Sequence, residues 1–532
     1  MTPGQLIRPV ATTRMMRTAH AARTLMKANT VLPERPDRLP RALLATATYG
    51  TGMLGAVAAS VARYPQATAI VSPTHSITYR ELWTGSAAVA GAMAADAGIG
   101  SDSRIGILCR NSPTFVIALL AGARLGADLV FLNTGHGPEQ LSDTIRGESL
   151  DFVLYDSEFA DALGGRPGLD SEAIAAIVSD PAQRRSLPRP KKASRLVVLT
   201  SGTTGRPKGA ARGSDGQSAD GALALLDRIP LRARDSMVVP APFFHAWGLA
   251  NLMIGLGLSS TIITSPDFDA AATLDFVAQH RARTLAVVPT MLARICALPP
   301  ERLAAADVDS LQIIAASGSA MPGRLAREVL DRFGPVLYNI YGSTEVAAAT
   351  IATPADLRKA PTTAGRPAAG VRVEILDAEG VRVTDSTVGR VFVGSGARFD
   401  GYTDGGTKEA IDGLLSSGDR GHFDESGRLF IDGREDDMIV SGGENVYPRE
   451  VEELLNHHKD IHEAIVVGVA DPNFGQALKA FVVCRPGTTL DTDEVKKYVT
   501  ARLARFKVPR TIEFLDDLPR TATGKVLRRE LV

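Results

Sequence analysis

Thr200-Ser-Gly-Thr-Thr-Gly-Arg-Pro-Lys-Gly209 follows directly on an apolar run, Leu196-Val-Val-Leu199. Four of these ten residues carry hydroxyls, three are glycine and one is lysine. A strand that runs into such a loop aims backbone N–H groups, hydroxyls and one ammonium at a single point, which suits a polyphosphate. Lys208 is followed by Gly209 rather than Ser or Thr, so this is not the G-x-x-x-x-G-K-[ST] loop of a P-loop kinase. Taken alone, the stretch also reads as a surface loop.

Helical and strand patterns alternate on both sides of it. Ala56–Tyr64, Tyr79–Ala94 and Ser112–Leu125 read as helices; Ala69–Val71, Ser76–Thr78, Arg104–Cys109 and Asp128–Leu132 read as strands. The alternation returns from Arg195 to Leu337 and implies parallel sheets covered by helices. From Arg366 to Tyr402 short strands separated by Gly-rich turns predict a small antiparallel barrel or sheet. After Glu435 the chain restarts as a compact α+β unit, with helices at Pro448–Asn456 and Thr492–Leu503. The expected fold class is therefore α/β: a large N-terminal domain of parallel α/β subdomains with a small β-barrel-like subdomain, then a small mobile α+β C-terminal domain. The expected domains are a leader over 1–43, a large domain over 44–433, a hinge over 434–437 and a small domain over 438–532.

At 532 residues the chain is long enough for several cores. Lys plus Arg number 59, as do Asp plus Glu, so bulk charge gives no grip on nucleic acid. Cys109, Cys296 and Cys484 are far apart and show no C-x-x-C spacing. They point to a reducing, cytoplasmic compartment without disulfides or zinc. No apolar run has the length to span a bilayer. Residues 1–43 hold eight basic and two acidic residues. From Arg14 to Lys27 a helical plot gathers Met15, Ala19, Ala22 and Met26 on one face. Such a helix could lie on an anionic membrane surface, pack on the main body, or stay an unstructured leader.

Four further motifs follow in order: Tyr341-Gly-Ser-Thr-Glu345, Ser417-Gly-Asp419, the stretch from Gly433 to Glu452 (GREDDMIVSGGENVYPREVE), and Leu518 to Leu531 (LPRTATGKVLRREL). With Thr200–Gly209 this set resembles the adenylate-forming superfamily of acyl-CoA synthetases, luciferases and peptide-synthetase adenylation domains, from about Tyr49 to the C-terminus. The resemblance implies an ATP cradle of Thr200, Ser201, Gly202, Thr203, Thr204 and Lys208, with Gly202 and Gly205 letting the backbone close on the phosphates. It implies Thr344 at the α-phosphate and Glu345 on Mg2+. Tyr341, with Gly342 and Ser343, would face adenine opposite a wall that includes Ser319 and Ala320. Asp419, helped by Arg434, would hold the ribose. Lys525 would neutralise charge on the carboxylate and α-phosphate, and His245 would lie between the carboxylate and thiol paths. Trp247 would wall or gate the acyl channel. Ser441, Gly442 and Gly443 would line the coenzyme A tunnel, and Asp436 would be the pivot of the hinge. The chain departs from the family at Gly389-Arg390-Val391, where Gly-Glu is common.

The implied reaction has two steps. A carboxylate and Mg-ATP give acyl-AMP and pyrophosphate, and the thiol of coenzyme A then takes the acyl group. The apolar stretch Phe243–Leu258 and the basic arm point to a medium- or long-chain fatty acid. Three other readings stand beside it: an aryl or branched-acid ligase, an enzyme that loads a separate carrier protein, and an inactive binding homologue. Intact Lys208, Glu345, Asp419, Arg434 and Lys525 speak against the last.

Overall fold

The computed structural model describes residues 21–30, 37–180, 190–200, 208–213, 217–383, 386–396, 399–435, 437–441, 444–471, 475–521 and 524–531. Residues 1–20, Ser201–Gly205, Asp436, Gly442 and Gly443, all named above, lie outside them.

Two mostly parallel sheets build the large domain. The first is ordered Gly168–Asp170, Phe152–Tyr155, Arg104–Leu108, Asp128–Phe131, Arg195–Thr200, Lys208–Gly213; only its last strand is antiparallel. The second has nine strands. Its parallel centre is Leu337–Ser343, Ile313–Ala316, Thr284–Val287, Ser236–Val238, Thr261–Ile263, Thr68–Val71, and antiparallel strands close both edges.

Local signals explain the helices between them. Thr78 and Glu81 form a capping box at the start of Tyr79–Asp96. Ser112 caps Pro113–Leu125, which has Pro in its first turn and stops at Gly126 in the left-handed conformation. That second helix is apolar almost all round because it is buried: Phe115, Val116, Leu119 and Leu120 are fully enclosed. One continuous core joins it to both sheets through Ile105, Phe131, Val198, Ile70, Met237 and Ile340.

Five antiparallel strands form the third sheet, in which Leu414–Phe423 pairs Gly389–Gly394 on one side and Ala410–Ile411 and Leu429–Arg434 elsewhere along its length. It packs on the end of the nine-stranded sheet through Val346, Ala349, Val391 and Leu429. The fourth sheet, Glu444–Val446, Ile439–Ser441, Gly475–Cys484, Ile461–Asp471 with Thr511–Phe514, has its own core around Val451, Leu455, Val466 and Val499. A core of its own is what makes a segment a domain.

The N-terminal arm packs differently from the expected face. In residues 21–30 Thr24 and Ala28 are the buried pair, while Ala22 and Met26 stay exposed. The Ala28 carbonyl accepts from Ala233 N–H, and the Thr30 carbonyl accepts from Arg63. The i, i+4 pair that meets the body therefore lies on the other side of the helix from Ala22 and Met26. For these residues packing on the main body is the arrangement realised.

The small domain rests on the large one through a turn. Thr521 and Gly524 close it by backbone hydrogen bonds, and Gly524 has φ +76°. A Cβ at Gly524 would lie 2.0 Å from Thr290 Oγ1, in the first turn of Pro289–Cys296. Gly524→Ala should therefore unseat this turn, because a side chain costs about 1–2 kcal/mol in that conformation even without the clash. Hydrogen exchange should quicken around residues 289–292 and 520–527 and stay unchanged in the buried strands of both domains.

Candidate functional site

The carboxyl ends of the parallel strands are the usual place for a ligand in such sheets. Four of the sequence-selected groups stand there. Ser317 to Ala320 leave the strand Ile313–Ala316, and Ser317 Oγ donates to the Ile340 carbonyl at 2.8 Å. Gly318 makes the bend with φ +96°. Ser319 is half-buried and Ala320 exposed. Tyr341, Gly342 and Ser343 end the next strand, and Thr344 and Glu345 form the turn after it. Gly342 sits at an irregularity in the pairing, where a Cβ would lie 1.8 Å from the Ala347 carbonyl. His245 and Trp247 follow the strand Ser236–Val238.

Glu345 is buried yet held as a carboxylate. Burial pushes its pKa up, but the hydroxyls of Tyr402 and Ser343 outweigh that and leave it below the ordinary value. Tyr402 donates to Oε1 and Ser343 to Oε2, each at 2.7 Å. An ionised carboxylate fits a hard cation such as Mg2+, which takes carboxylate, phosphate and water oxygens.

Asp419 lies across from this turn, on Leu414–Phe423, directly opposite Arg434 in the ladder. Tyr341 donates its hydroxyl to Asp419 Oδ2 at 2.5 Å, and Arg434 Nη1 stands 3.6 Å from Oδ1. Burial raises the pKa of Asp419; the hydrogen bond from Tyr341 and the charge of Arg434 resist it. The Tyr341 hydroxyl is itself pushed far above its ordinary value, by burial and then by Asp419.

The Thr200–Gly209 stretch is a hairpin, since Thr200 and Lys208 face each other across the two strands it joins. It returns to a strand, and among the described residues no helix opens from it to aid an anion. The hydroxyls, N–H groups and Lys208 would carry that work. Lys208 Nζ forms an ion pair with Asp404 at 3.0 Å.

His245 begins the helix Ala246–Gly257, and its ring lies 4.4 Å from that of Phe244. A buried Asn111 sets this turn. Its Nδ2 donates to Ala241 O and Thr264 Oγ1, and its Oδ1 accepts from Phe243 N–H. His245 Nε2 is buried without a hydrogen-bond partner among the described residues. Burial, then the neighbouring His136, lowers its pKa to about 4. Trp247 donates Nε1–H to the Val287 carbonyl at 3.0 Å and packs against two cores. A ring tied this way suits a wall, not a gate.

Lys525 is exposed on the turn seated against Thr290. Ser441 is buried and pairs with Glu444 around the two undescribed glycines. Three residues that sequence reading passed over belong with this site: Asn111, Tyr402 and Asp404. Tyr402 had a local signal, an aromatic after Gly401 in a Gly-rich loop; Asn111 had none.

A family model described as AMP-binding enzyme matches residues 57–403, and one described as AMP-binding enzyme C-terminal domain matches 450–525. The chain is 36% identical to an indoleacetate–CoA ligase of Aromatoleum aromaticum over 88% of this chain and 95% of that protein. It is 33% identical to a feruloyl-CoA synthase of Amycolatopsis (88% and 96% covered) and 30% identical to the fatty acid–[acyl-carrier-protein] ligase ScoC of Streptomyces coeruleorubidus (88% and 93%). The structure is similar to o-succinylbenzoate CoA synthetase of Bacillus subtilis in complex with its acyl-adenylate intermediate. The TM-score is 0.78 at 25% identity, covering 94% of this chain and 98% of that one.

The depressed pKa of His245 makes stability depend on pH. Between its ordinary value of 6.5 and about 4 the unfolded chain binds the proton and the folded chain does not. Stability should therefore fall as pH drops through that window, by roughly 1–3 kcal/mol from this group, and be insensitive to it above pH 7. Thermal melts of His245→Gln should show a smaller loss between pH 7 and pH 4 than those of the parent.

Proposed function

The chain belongs to the AMP-binding enzymes, and on that premise we propose that it activates an aromatic carboxylic acid with ATP and passes the acyl group to coenzyme A. The observation that carries the reading is the meeting of an ionised Glu345, the Asp419–Tyr341–Arg434 group and the Lys208 hairpin around one crevice. Two of them answer the need for neutralised phosphates and the third the need for a held ribose when a carboxylate is joined to AMP.

Lys208 and the loop before it cradle the departing phosphates, with Thr344 at the α-phosphate. Glu345 would hold Mg2+, which when bound neutralises phosphate charge. Asp419 accepts from the ribose hydroxyls, with Arg434 beside it. Tyr341 faces adenine against Ser319 and Ala320. Lys525 brings its ammonium to the carboxylate oxygen and α-phosphate. His245, neutral at working pH, can accept a hydrogen bond on Nε2 without adding charge next to the acyl carbon. Coenzyme A then approaches past Ser441, Gly442 and Gly443 after the small domain has turned about Asp436.

An aromatic acid is better supported than the fatty acid that the sequence suggested. The apolar stretch Phe243–Leu258 is committed to packing: Phe243, Leu249, Leu252, Leu256 and Leu258 are buried in the core. Phe244, also buried, packs its ring on that of His245, and Trp247, only partly buried, is the large ring nearest to it in the chain. Relatives named for indoleacetate and ferulate point the same way. Loading of a carrier protein is a second reading, favoured by the likeness to ScoC.

AMP release should be measured over indoleacetate, ferulate, 2-succinylbenzoate, octanoate and palmitate, with coenzyme A or a carrier protein as acceptor. The best aromatic acid should exceed both fatty acids by at least about tenfold in kcat/KM, the scale on which a pocket separates shapes. A fatty acid at the top, or turnover only with a carrier protein, would replace this reading. Lys525→Ala should slow acyl-AMP formation by about a hundredfold or more, the scale of one lost transition-state donor. The same variant should still convert supplied acyl-AMP with coenzyme A.

A further inference from the structure

The Lys208 hairpin and the Glu345 turn come from different sheets, yet one short segment ties them together. Residues 399–406 lie along the strand Lys208–Gly213. Gly401 O accepts from Ala211 N–H, the Ala211 carbonyl accepts from Asp400 N–H, and Gly209 O accepts from Thr403 N–H at 2.8 Å. Ala210 and Tyr402 form an antiparallel bridge. Gly209 is needed for this approach, because a Cβ there would lie 2.8 Å from Thr403 Oγ1. Thr403 Oγ1 also donates to Glu148, a buried acid held by Arg104. The segment is thus anchored on its hairpin side by backbone and by a buried side chain.

On its other side it reaches Glu345. Tyr402 projects its hydroxyl onto Oε1 at 2.7 Å, its ring braced edge-on by Phe399 with centroids 5.0 Å apart. Ser343, two residues before Glu345, holds the second oxygen. Ser343 moves with the turn that carries Glu345, so it cannot set where that turn stands relative to the phosphate hairpin. Tyr402 belongs to the hairpin's own strap and can. We propose that Tyr402 is a positioning residue that fixes the Glu345 carboxylate relative to Lys208, so that a divalent cation bound at Glu345 meets the phosphates held by the hairpin. This rests on the reading of Glu345 given above. A hydroxyl that donates to an ionised acceptor makes a strong, directional bond, and its loss leaves one carboxylate oxygen free to swing.

The test is ATP binding by titration calorimetry on the full chain, in Mg2+ and in EDTA. Tyr402→Phe keeps the ring and removes only the hydroxyl. It should weaken ATP binding in Mg2+ about tenfold, the scale of a lost hydrogen bond to a charged group, and change binding in EDTA by less than about twofold. Equal weakening in both buffers would mean that the hydroxyl only supports the fold, and would overturn the proposal. So would parent-like binding in both. Glu345→Gln separates the two layers of the argument. It should abolish the Mg2+ dependence; if it does and Tyr402→Phe does not disturb it, only the role of Tyr402 falls. If Glu345→Gln keeps the parent's Mg2+ dependence, the cation is held elsewhere and both fall.

Discussion

The hydrogen bond from Tyr341 to Asp419 spans two sheets, and the geometry of the crevice depends on it. Tyr341 belongs to the nine-stranded sheet and Asp419 to the small antiparallel one. A carboxylate this enclosed is costly without partners. It can stay ionised only while the tyrosine hydroxyl and the Arg434 guanidinium remain beside it. The Tyr341–Asp419 bond adds a polar tie to the apolar core and backbone hydrogen bonds that hold the third sheet against the end of the second, and the segment bearing Tyr402 and Asp404 against the hairpin.

The sequence made some of this legible and hid the rest, for a physical reason. The phosphate hairpin, the Tyr341–Glu345 turn and Asp419 with its preceding glycine are local: their residue types sit where turn chemistry and ligand chemistry need them within ten positions. The alternation of helices and strands was equally local, and the fold follows it closely. Asn111 is different. Its partners, Ala241, Phe243 and Thr264, lie more than a hundred positions away, and a lone Asn in a chain carries no mark of what it will pin. Tyr402 and Glu345 meet in the same way across 57 positions. Hydropathy does not separate substrate surface from core: the Phe243–Leu258 stretch reads as a greasy substrate channel, yet it contains the helix Ala246–Gly257 and buries Phe243, Leu249, Leu252, Leu256 and Leu258 in the core. Of the arrangements open for the arm, residues 21–30 show packing on the body, through a face the helical plot did not single out, since such a plot shows which face is apolar and not which face meets a neighbour.

Arg390 illustrates how a departure from the family pattern can be absorbed. It stands where the family commonly has Glu, and it ion-pairs with both Glu409 and Glu435. Glu435 is the last described residue before the expected pivot. A charge pair thus ties the large domain's third sheet to the residue next to the expected pivot. The two acids that face the position suit a cation there.

The seat of the small domain completes the argument. Its described contacts with the large domain include the Gly524–Thr290 approach and a polar contact between Arg327 and His457; its core is its own. Exposed polar contacts of this kind contribute about 0–1 kcal/mol each, whereas the two cores are held by many buried apolar side chains. On the proposed reading, in which the domain presents Lys525 in one step and the turn after Ser441 in another, it has to leave its seat without disturbing its core. The proposed division of the chemistry between the strand ends of the large domain and a separate small domain is in keeping with that difference. Small residues at the contact, Gly524 above all, are what let the lysine turn come close without locking it there.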